Sequence, residues 1–307
     1  MHIGSTEILN TYAEAFGARY TRLIITAADE HWLDAALRSV TGYGTSVIGC
    51  DAEAGLDHIL SPAESPDGRP AAAVLLFGFT AETVGQAAQH RVGQCVLTCP
   101  TTACYNGLPE ADETYSLGKY LRYFGDGFEH VVGADGPPAP AAGEPPAPRT
   151  LWRIPVMDGE FIVEATAGIA KGVAGGNIII HAESQQAGLA AAQRAAGAVA
   201  QLHGVIAPFP GGVCRSGSKV GSKYKALVAS TADAYCPTLR DRAPSQLVHA
   251  AQCAYEIVID GVSQIAVADA MRAAIDAAAG GGVLAIGAGN YGGKLGKYPI
   301  RLHELFG

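Results

Sequence analysis

Short apolar runs alternate with amphipathic segments through the first half of the chain, and this pattern predicts strands and helices in turn. The predicted strands are β-branched or aliphatic runs at residues 22–27, 45–48, 73–77 and 95–98. Asp29 and Thr80 precede segments with a helical apolar period and are placed to cap them. Gly42 and Gly93 are placed to end those helices. The predicted order is β-α-β-β-α-β.

The second half of the chain repeats this order. Its predicted strands lie at residues 177–182, 205–207, 255–259 and 283–286. Ser184 and Ser263 are placed to cap helices that run to about residues 201 and 279. Residues 23–27 also resemble residues 178–182, so the two halves look like copies of one unit.

Two β-α-β-β-α-β units predict an α+β protein with two ferredoxin-like lobes, each an antiparallel sheet with two helices on one face. We assign residues 1–150 to the N-terminal lobe and residues 151–307 to the C-terminal lobe. A single doubly wound sheet is the alternative, and the long connections between the second and third strands of each half disfavour it.

An irregular excursion at about residues 100–170 joins the halves. It contains a proline-rich stretch, 136–148, that is typical of a linker or exposed loop. Asp158 and Gly159 then separate two apolar runs and predict a β-hairpin.

Composition narrows the class of protein. Hydrophobic residues make up 49% and charged residues 16% of the 307 residues, so a second subunit is expected to cover part of the surface. The formal net charge of −8 argues against general binding of nucleic acid or of an anionic membrane. Neither a membrane-spanning apolar run nor a signal peptide is present in the sequence, so we expect a cytoplasmic protein.

The seven cysteines predict neither disulfides nor a metal site. Their number is odd and their spacing irregular. Cys95, Cys99 and Cys104 lie close together but lack the Cys-x-x-Cys spacing of a zinc site, and buried free thiols are common. We therefore expect no bound metal.

Residues 287–292 match the G-x-G-x-x-G pattern of dinucleotide-binding proteins, directly after a predicted strand. The residues that follow are a poor helix start, and no second strand supplies the acidic residue that binds the ribose. We therefore disfavour a nicotinamide-dependent enzyme, although the backbone of this loop can still approach a ligand.

A cluster of basic residues, 215–225, contrasts with the acidic chain. It contains Arg215, Lys219, Lys223 and Lys225 among glycines and serines, a combination that suits a carboxylate or phosphate tail. A solvated charged turn explains the composition equally well. The connection around it, about 208–250, is long for a mere linker, and this length favours a function.

Glu256 lies inside an apolar strand. Alternation places it on the strand face opposite Tyr255 and Ile257. Because the helices of a ferredoxin-like sheet cover one face, Glu256 is expected on the open face. A solvated carboxylate there is ordinary. If the other lobe or a subunit covers it, its pKa rises and it can move protons near neutral pH.

Several motifs, taken in order, resemble one family, the formylmethanofuran:tetrahydromethanopterin formyltransferases. The resemblance runs from about residue 11 to residue 306, and its motifs lie at 124–127, 172–177, 182–185, 209–212, 215–216, 218–223, 235–238 and 289–296. The proline-rich insert and the low-charge surface resemble bacterial members.

The resemblance implies transfer of a formyl group between the C1 carriers methanofuran and tetrahydromethanopterin, both with anionic tails, without a prosthetic group. It also implies a homo-oligomeric core, a dimer of dimers, and sister hydrolase subunits that turn formylmethanofuran into formate. It assigns the catalytic role to Glu256. The matched motifs supply candidate substrate-binding residues: Asn177, Gln185, Phe209, Gly211, Gly212, Arg215, Ser218, Lys219, Ser222, Lys223, Tyr235 and Asn290.

As a mechanism, we expect the acceptor nitrogen to attack the formyl carbon while Glu256 passes a proton between the two nitrogens. Backbone N–H groups of a glycine-rich loop are expected to stabilise the oxyanion. The alternative function is a non-catalytic subunit that only presents methanofuran to a hydrolase.

Overall fold

The structure of the protein, a computed structural model, describes residues 1–134 and 149–307. The proline-rich stretch predicted at 136–148 lies outside these residues. The chain divides into two compact units. Unit one comprises Met1–Ala18, Gly44–Cys50 and Lys171–Gly307, and unit two comprises Arg19–Tyr43 and Asp51–Ala170. The predicted boundary between residues 150 and 151 stays a prediction.

The elements of the first half are, in chain order, β1 (His2–Ile3), β2 (Thr6–Ile8), β3 (Tyr12–Thr26), α1 (Glu30–Thr41), β4 (Glu53–Leu60), β5 (Ala71–Gly78), α2 (Ala81–Arg91), β6 (Ala103–Asn106), β7 (Glu113–Ser116), α3 (Gly118–Leu121), β8 (His130–Ala134), β9 (Arg149–Val156) and β10 (Gly159–Glu164). The second half continues with β11 (Thr166–Ala182), α4 (Gln185–Val199), β12 (Val205–Ile206), β13 (Lys219–Val220), β14 (Ala229–Ser230), β15 (Cys253–Gly261), α5 (Gln264–Ala278), β16 (Val283–Gly287) and β17 (Tyr298–Arg301). Short 3₁₀ turns lie at Arg122–Gly125, Pro210–Gly212, Asp233–Tyr235, Pro237–Leu239 and Leu302–Phe306.

In unit two, β3 pairs with both β5 and β6, and β4 pairs with β5, all antiparallel. The strand order is therefore β6-β3-β5-β4. The side chains of Leu23 and Ile25 alternate onto one face and join Leu33 and Val40 of α1 in the core. Asp29 and Thr80 cap α1 and α2 through their side chains, as predicted.

Unit one repeats this arrangement. Strand β11 pairs with β15 and β16, and β12 pairs with β15, all antiparallel, which gives the order β16-β11-β15-β12. Ile180 and Ile257 face a core shared with alanines of α4 and with Met271 of α5. Ser184 and Ser263 cap these helices as predicted.

Two predicted strands are wrong. Residues 45–48 form turns in which the N–H groups of Gly49 and Cys50 both donate to the carbonyl of Ser46, and β4 is the strand that follows α1. Residues 95–98 are not extended because α2 continues beyond Gly93 as a π-helical turn, Val92–Val96. Val92 and Val96 both enter the core from this turn, so burial rather than β-pairing accounts for the apolar run.

The predicted hairpin is confirmed, since β9 and β10 pair antiparallel, but its turn consists of Met157 and Asp158, and Gly159 already pairs with Val156 as the first residue of β10. Within the described stretches, no helix is long and apolar enough to span a bilayer. Residues 1–134 and 149–307 contain no group of three His, Cys, Asp or Glu side chains placed to hold a metal ion.

Candidate functional site

Strand β15 positions Glu256 on the sheet face away from the helices. Tyr255 and Ile257, its neighbours, point into the core beneath α4 and α5. Cys214, in the segment that follows the turn Pro210–Gly212, exchanges backbone hydrogen bonds with Glu256, with N···O distances of 2.8 and 3.2 Å. Glu256 is only 6% exposed. The cover over the carboxylate is therefore this chain's own segment, an arrangement that the sequence does not reveal.

Ser218 binds both oxygens of the Glu256 carboxylate. Its backbone N–H donates to Oε2 at 2.7 Å, and its hydroxyl donates to Oε1 at 2.7 Å. Burial raises the pKa of Glu256, and the two hydrogen bonds from Ser218 partly oppose that rise. The carboxyl group therefore holds its proton to a higher pH than an exposed glutamate and can exchange it nearer neutrality.

A crevice of about 290 Å³ opens beside this carboxylate, entirely within unit one. It is lined by Asn177, Ile179, Ser218, Lys219, Val220, Ala232, Asp233, Ala234, Tyr235, Gln246, Glu256, Gly289, Asn290 and Tyr291. A smaller cavity of about 40 Å³ adjoins it and shares Ile179, Ala232, Tyr235 and Glu256 with it. Glu256 thus lines both cavities.

Two tyrosines of the crevice present neutral hydroxyls. The Tyr291 hydroxyl donates to the carbonyl of Ser218 at 2.9 Å, and the Tyr235 hydroxyl donates to Oε1 of Gln246 at 2.7 Å. Burial, followed by the negative charge of Glu256, raises the pKa of both phenols. Both therefore stay protonated at physiological pH.

Lys219 and Asp233 form an ion pair at the crevice, with an N–O distance of 2.7 Å. This contact, ahead of the opposing effect of desolvation, lowers the pKa of Asp233. Each side chain is about two-fifths exposed, so the pair lies within reach of solvent and ligand.

Six of the sequence-predicted residues meet at the crevice: Asn177, Ser218, Lys219, Tyr235, Asn290 and Glu256. Asn177 also exchanges two hydrogen bonds with the backbone of Gly289, which fixes the start of the 289–296 loop. Arg215 lines the smaller cavity instead.

The other predicted binding residues lie outside both cavities. Gln185 is exposed at the first residue of α4. Phe209, Gly211 and Gly212 form the turn after β12, where a Cβ on Gly212 would lie 2.7 Å from Cβ of Ala196. Positive φ accounts for glycine at 211, and positive φ together with close packing accounts for glycine at 212.

Ser222 and Lys223 lie in the connection between β13 and β14. Ser222 accepts a hydrogen bond from the backbone of Tyr224, and Lys223 is exposed. The basic cluster read from the sequence is therefore split, with Lys219 at the crevice and Lys223 outside its lining.

Sequence reasoning missed Asp233, Gln246 and the individual role of Tyr291. Asp233 and Gln246 lie in the long connection between β12 and β15, outside the basic cluster and the motifs that mark the rest of it, so only its length pointed to them. Tyr291 lies inside the glycine motif, and its hydroxyl partner is not predictable from spacing.

The fold and the crevice define a mixed α/β protein with a buried carboxyl group poised for acid–base chemistry on a bound small molecule. Comparison with known proteins narrows this class. The family model described as formylmethanofuran-tetrahydromethanopterin formyltransferase matches residues 1–156, and the model described as FTR, proximal lobe, matches residues 159–305.

Relatives of similar length carry the same description. Formylmethanofuran–tetrahydromethanopterin formyltransferases from Methylobacillus flagellatus and Rhodopirellula baltica are 48% and 46% identical to this chain. Each alignment covers 99% of this chain, and they cover 99% and 93% of the respective relatives. The chain belongs to the formylmethanofuran–tetrahydromethanopterin formyltransferase family.

Two solved structures agree with this assignment. The formyltransferase from Methanosarcina barkeri superposes with a TM-score of 0.90 at 44% identity, covering all of both chains. A chain of the formyltransferase/hydrolase complex from Methylorubrum extorquens, solved with methylofuran, superposes with a TM-score of 0.94 at 44% identity, covering all of this chain and 99% of that one.

Proposed function

We propose that this chain transfers a formyl group between N5 of tetrahydromethanopterin and the amine of methanofuran, in the net direction of formylmethanofuran. The observation that carries the proposal is the buried Glu256 carboxyl at a crevice, in a chain that belongs to this family. The relatives are named as enzymes, which favours catalysis over a subunit that only presents methanofuran.

The reaction needs a proton carrier because the attacking nitrogen must lose a proton and the leaving nitrogen must gain one. The acceptor nitrogen attacks the formyl carbon, and a C–N bond forms as the carbonyl oxygen takes the negative charge. Glu256 takes the proton from the attacking nitrogen. The C=O double bond then re-forms as the bond to the donor nitrogen breaks, and Glu256 gives the proton to the donor nitrogen. Its burial brings its pKa closer to the pH at which both transfers are effective.

The loop at residues 289–296 is a poor source of N–H donors for the oxyanion. Tyr291, Gly293, Leu295 and Gly296 direct their backbone N–H groups to Glu14, and Gly289 directs its own to Asn177. These five N–H groups already have partners within the chain, so the expected stabilisation of the oxyanion by a glycine-rich loop stays a prediction for other N–H groups.

Lys219 and Arg215 are the basic residues placed to meet an anionic carrier tail, since each lines one of the two cavities. The binding energy of both carriers holds them side by side. This proximity supplies much of the expected acceleration of formyl transfer.

The strand order β6-β3-β5-β4 and its counterpart β16-β11-β15-β12 support two ferredoxin-like lobes. The low fraction of charged residues, 16%, supports a homo-oligomeric core, a dimer of dimers. The complex named for the Methylorubrum relative supports hydrolase sister subunits for this chain. A cytoplasmic location and a reaction without a prosthetic group stay predictions.

An assay of the purified chain with formyl-tetrahydromethanopterin and methanofuran tests the proposal. Formylmethanofuran should form in amounts equal to the tetrahydromethanopterin released. Binding of both carriers without exchange of the formyl group would instead establish the non-catalytic alternative.

A further inference from the structure

Glu14 is a buried carboxylate that the proposed chemistry does not use. It lies on β3 and is only 2% exposed. Its Oε2 accepts the backbone N–H groups of Tyr291 and Gly293, both at 2.8 Å. Its Oε1 accepts those of Leu295 and Gly296, at 2.5 and 2.7 Å. One side chain thus binds four donors of a single loop.

This loop joins β16 to β17, and its backbone needs such an anchor. Gly292 and Gly293 both have φ of +73°, a conformation in which the chain cannot continue a helix or strand. Gly296 passes so close to β3 that a Cβ there would lie 2.5 Å from the carbonyl oxygen of Ala15. Burial opposes the charge on Glu14, but the four N–H groups lower its pKa to about 2, so the anchor is anionic at physiological pH.

The anchored loop carries Tyr291 into the site. Its N–H is held by Glu14, and its ring lies 6.0 Å, centroid to centroid, from the ring of Phe16 on the same strand. Its hydroxyl then donates to the Ser218 carbonyl at 2.9 Å. Ser218 in turn donates twice to the Glu256 carboxylate. A continuous series of hydrogen bonds therefore joins Glu14 to Glu256.

We propose that Glu14 is a positioning residue for formyl transfer, which acts through Tyr291 and Ser218 to hold Glu256 in its productive geometry. The inference rests on the proposed function of Glu256. No motif marks Glu14, which lies far from Glu256 in sequence, and its role follows only from the contacts of the loop.

The variant E14Q isolates this role. The amide keeps the shape of the side chain but places an NH₂ group against two N–H donors, so only one oxygen still accepts. The loop relaxes, Tyr291 loosens its hold on Ser218, and Ser218 withdraws from Glu256. Because the hydrogen bonds from Ser218 lower the pKa of Glu256, their weakening raises that pKa.

The experiment measures kcat, KM and the pH dependence of kcat for the wild type, E14Q and Y291F. The variant S218A, which removes only the hydroxyl hydrogen bond to Glu256 and keeps the backbone one, serves as a reference. A side-chain carboxyl titration by ¹³C NMR, with E256Q to assign the Glu256 signal, follows the same group without turnover. We expect kcat of E14Q to fall roughly 10- to 100-fold with a smaller change in KM, as for a catalytic group displaced by about 1 Å. The midpoint of Glu256 should move to higher pH in E14Q and, to a smaller extent, in Y291F.

The control variant E7Q removes an exposed glutamate of the same unit and should leave the kinetic constants and the midpoint unchanged. Equal loss of activity at every pH in E14Q, with the Glu256 midpoint unmoved, would reduce Glu14 to a structural anchor and overturn the proposal. Y291F keeps the test open if E14Q does not fold, because a wild-type midpoint and kcat in Y291F would also overturn it. An inactive wild type would refute the proposed function, while the NMR midpoints would still test the connection from Glu14 to Glu256.

Discussion

Glu256 acquires its chemistry from residues that are remote in sequence. The strand pattern places it on the face away from the helices, and the segment 214–218 then buries it. A glutamate that is ordinary by composition thereby becomes a group with a raised pKa between two cavities.

The variant E256Q tests the proton transfer. Glutamine can still accept from the Ser218 N–H and donate to the Ser218 hydroxyl, so the fold should persist. It cannot carry a proton between two nitrogens, so kcat should fall by roughly 10²–10⁴. Steady-state kinetics and a circular dichroism spectrum check both halves of the expectation, and turnover close to that of the wild type would disprove the role.

Two lysines of the basic cluster form a matched pair for substrate binding. Lys219 lines the crevice, whereas Lys223 is exposed outside it. We expect K219A to raise the KM of one carrier roughly tenfold, equivalent to about 1.4 kcal/mol. The change in log KM for K223A should be less than half of the change in log KM for K219A. Equal KM values for the two variants would show that the crevice does not bind the anionic tail through Lys219. Stability should change little in K219A, because a partly exposed ion pair contributes little, and little in K223A, because Lys223 is exposed.

At the scale of elements, small residues set the spacing between helix α4 and strand β15. A Cβ on Gly188 would lie 2.8 Å from Sγ of Cys253 and 3.0 Å from a ring carbon of Tyr255. Gly197, in the same helix, is exposed and has no atom within 4 Å of such a Cβ. A methyl group therefore fits at Gly197 but not at Gly188, although both glycines lie in the same helix.

G188A and G197A compare those two positions directly. G188A should destabilise the fold by roughly 1–3 kcal/mol, the usual cost of overpacking. G197A should stabilise it by roughly 0.5–1 kcal/mol because alanine is the better helix former. Chemical denaturation of both variants measures the difference, and destabilisation of similar size in both would show that the contact with β15 does not matter.

Helix caps and β-branched runs predicted the elements well, because these signals are local. Asp29, Thr80, Ser184 and Ser263 each cap a helix as predicted. The run at 95–98 misled because burial in a π-helical turn selects the same apolar side chains as a strand does. Strand β4 carries polar residues such as Asp57 and His58, and only its pairing with β5 identifies it.

At the scale of the whole molecule, acid should destabilise the fold in two successive pH windows. His181 is 1% exposed, and burial, with the nearby positive charge of Arg240, lowers its pKa from 6.5 to about 4. Its contribution to stability is complete above pH 6.5 and is lost as the pH falls toward 4, by up to about 3 kcal/mol. The window of Glu14 lies lower, between its ordinary pKa of 4.5 and about 2.

The free energy of unfolding, measured by denaturant titration between pH 7 and pH 4.5, tests the His181 window. It should fall with pH in the wild type and fall less in H181Q, which cannot become charged. Parallel curves for the two proteins would exclude His181 as the source.

Contiguous motifs identified part of the crevice lining. Asn177, Ser218, Lys219, Tyr235 and Asn290 lie in those motifs and meet Glu256 at the crevice, while their roles stay predictions. Glu14, Asp233 and Gln246 lie in no motif, and their roles depend on long-range contacts that composition and periodicity do not encode.

Unit one draws on both early and late parts of the chain, because Met1–Ala18 cluster with Lys171–Gly307. During synthesis, the Glu14 carboxylate is therefore solvated until the four backbone N–H groups that it binds have been translated. At ordinary elongation rates that delay is on the order of tens of seconds. The loop that Glu14 anchors therefore cannot take its folded conformation until residues 291–296 have been synthesised.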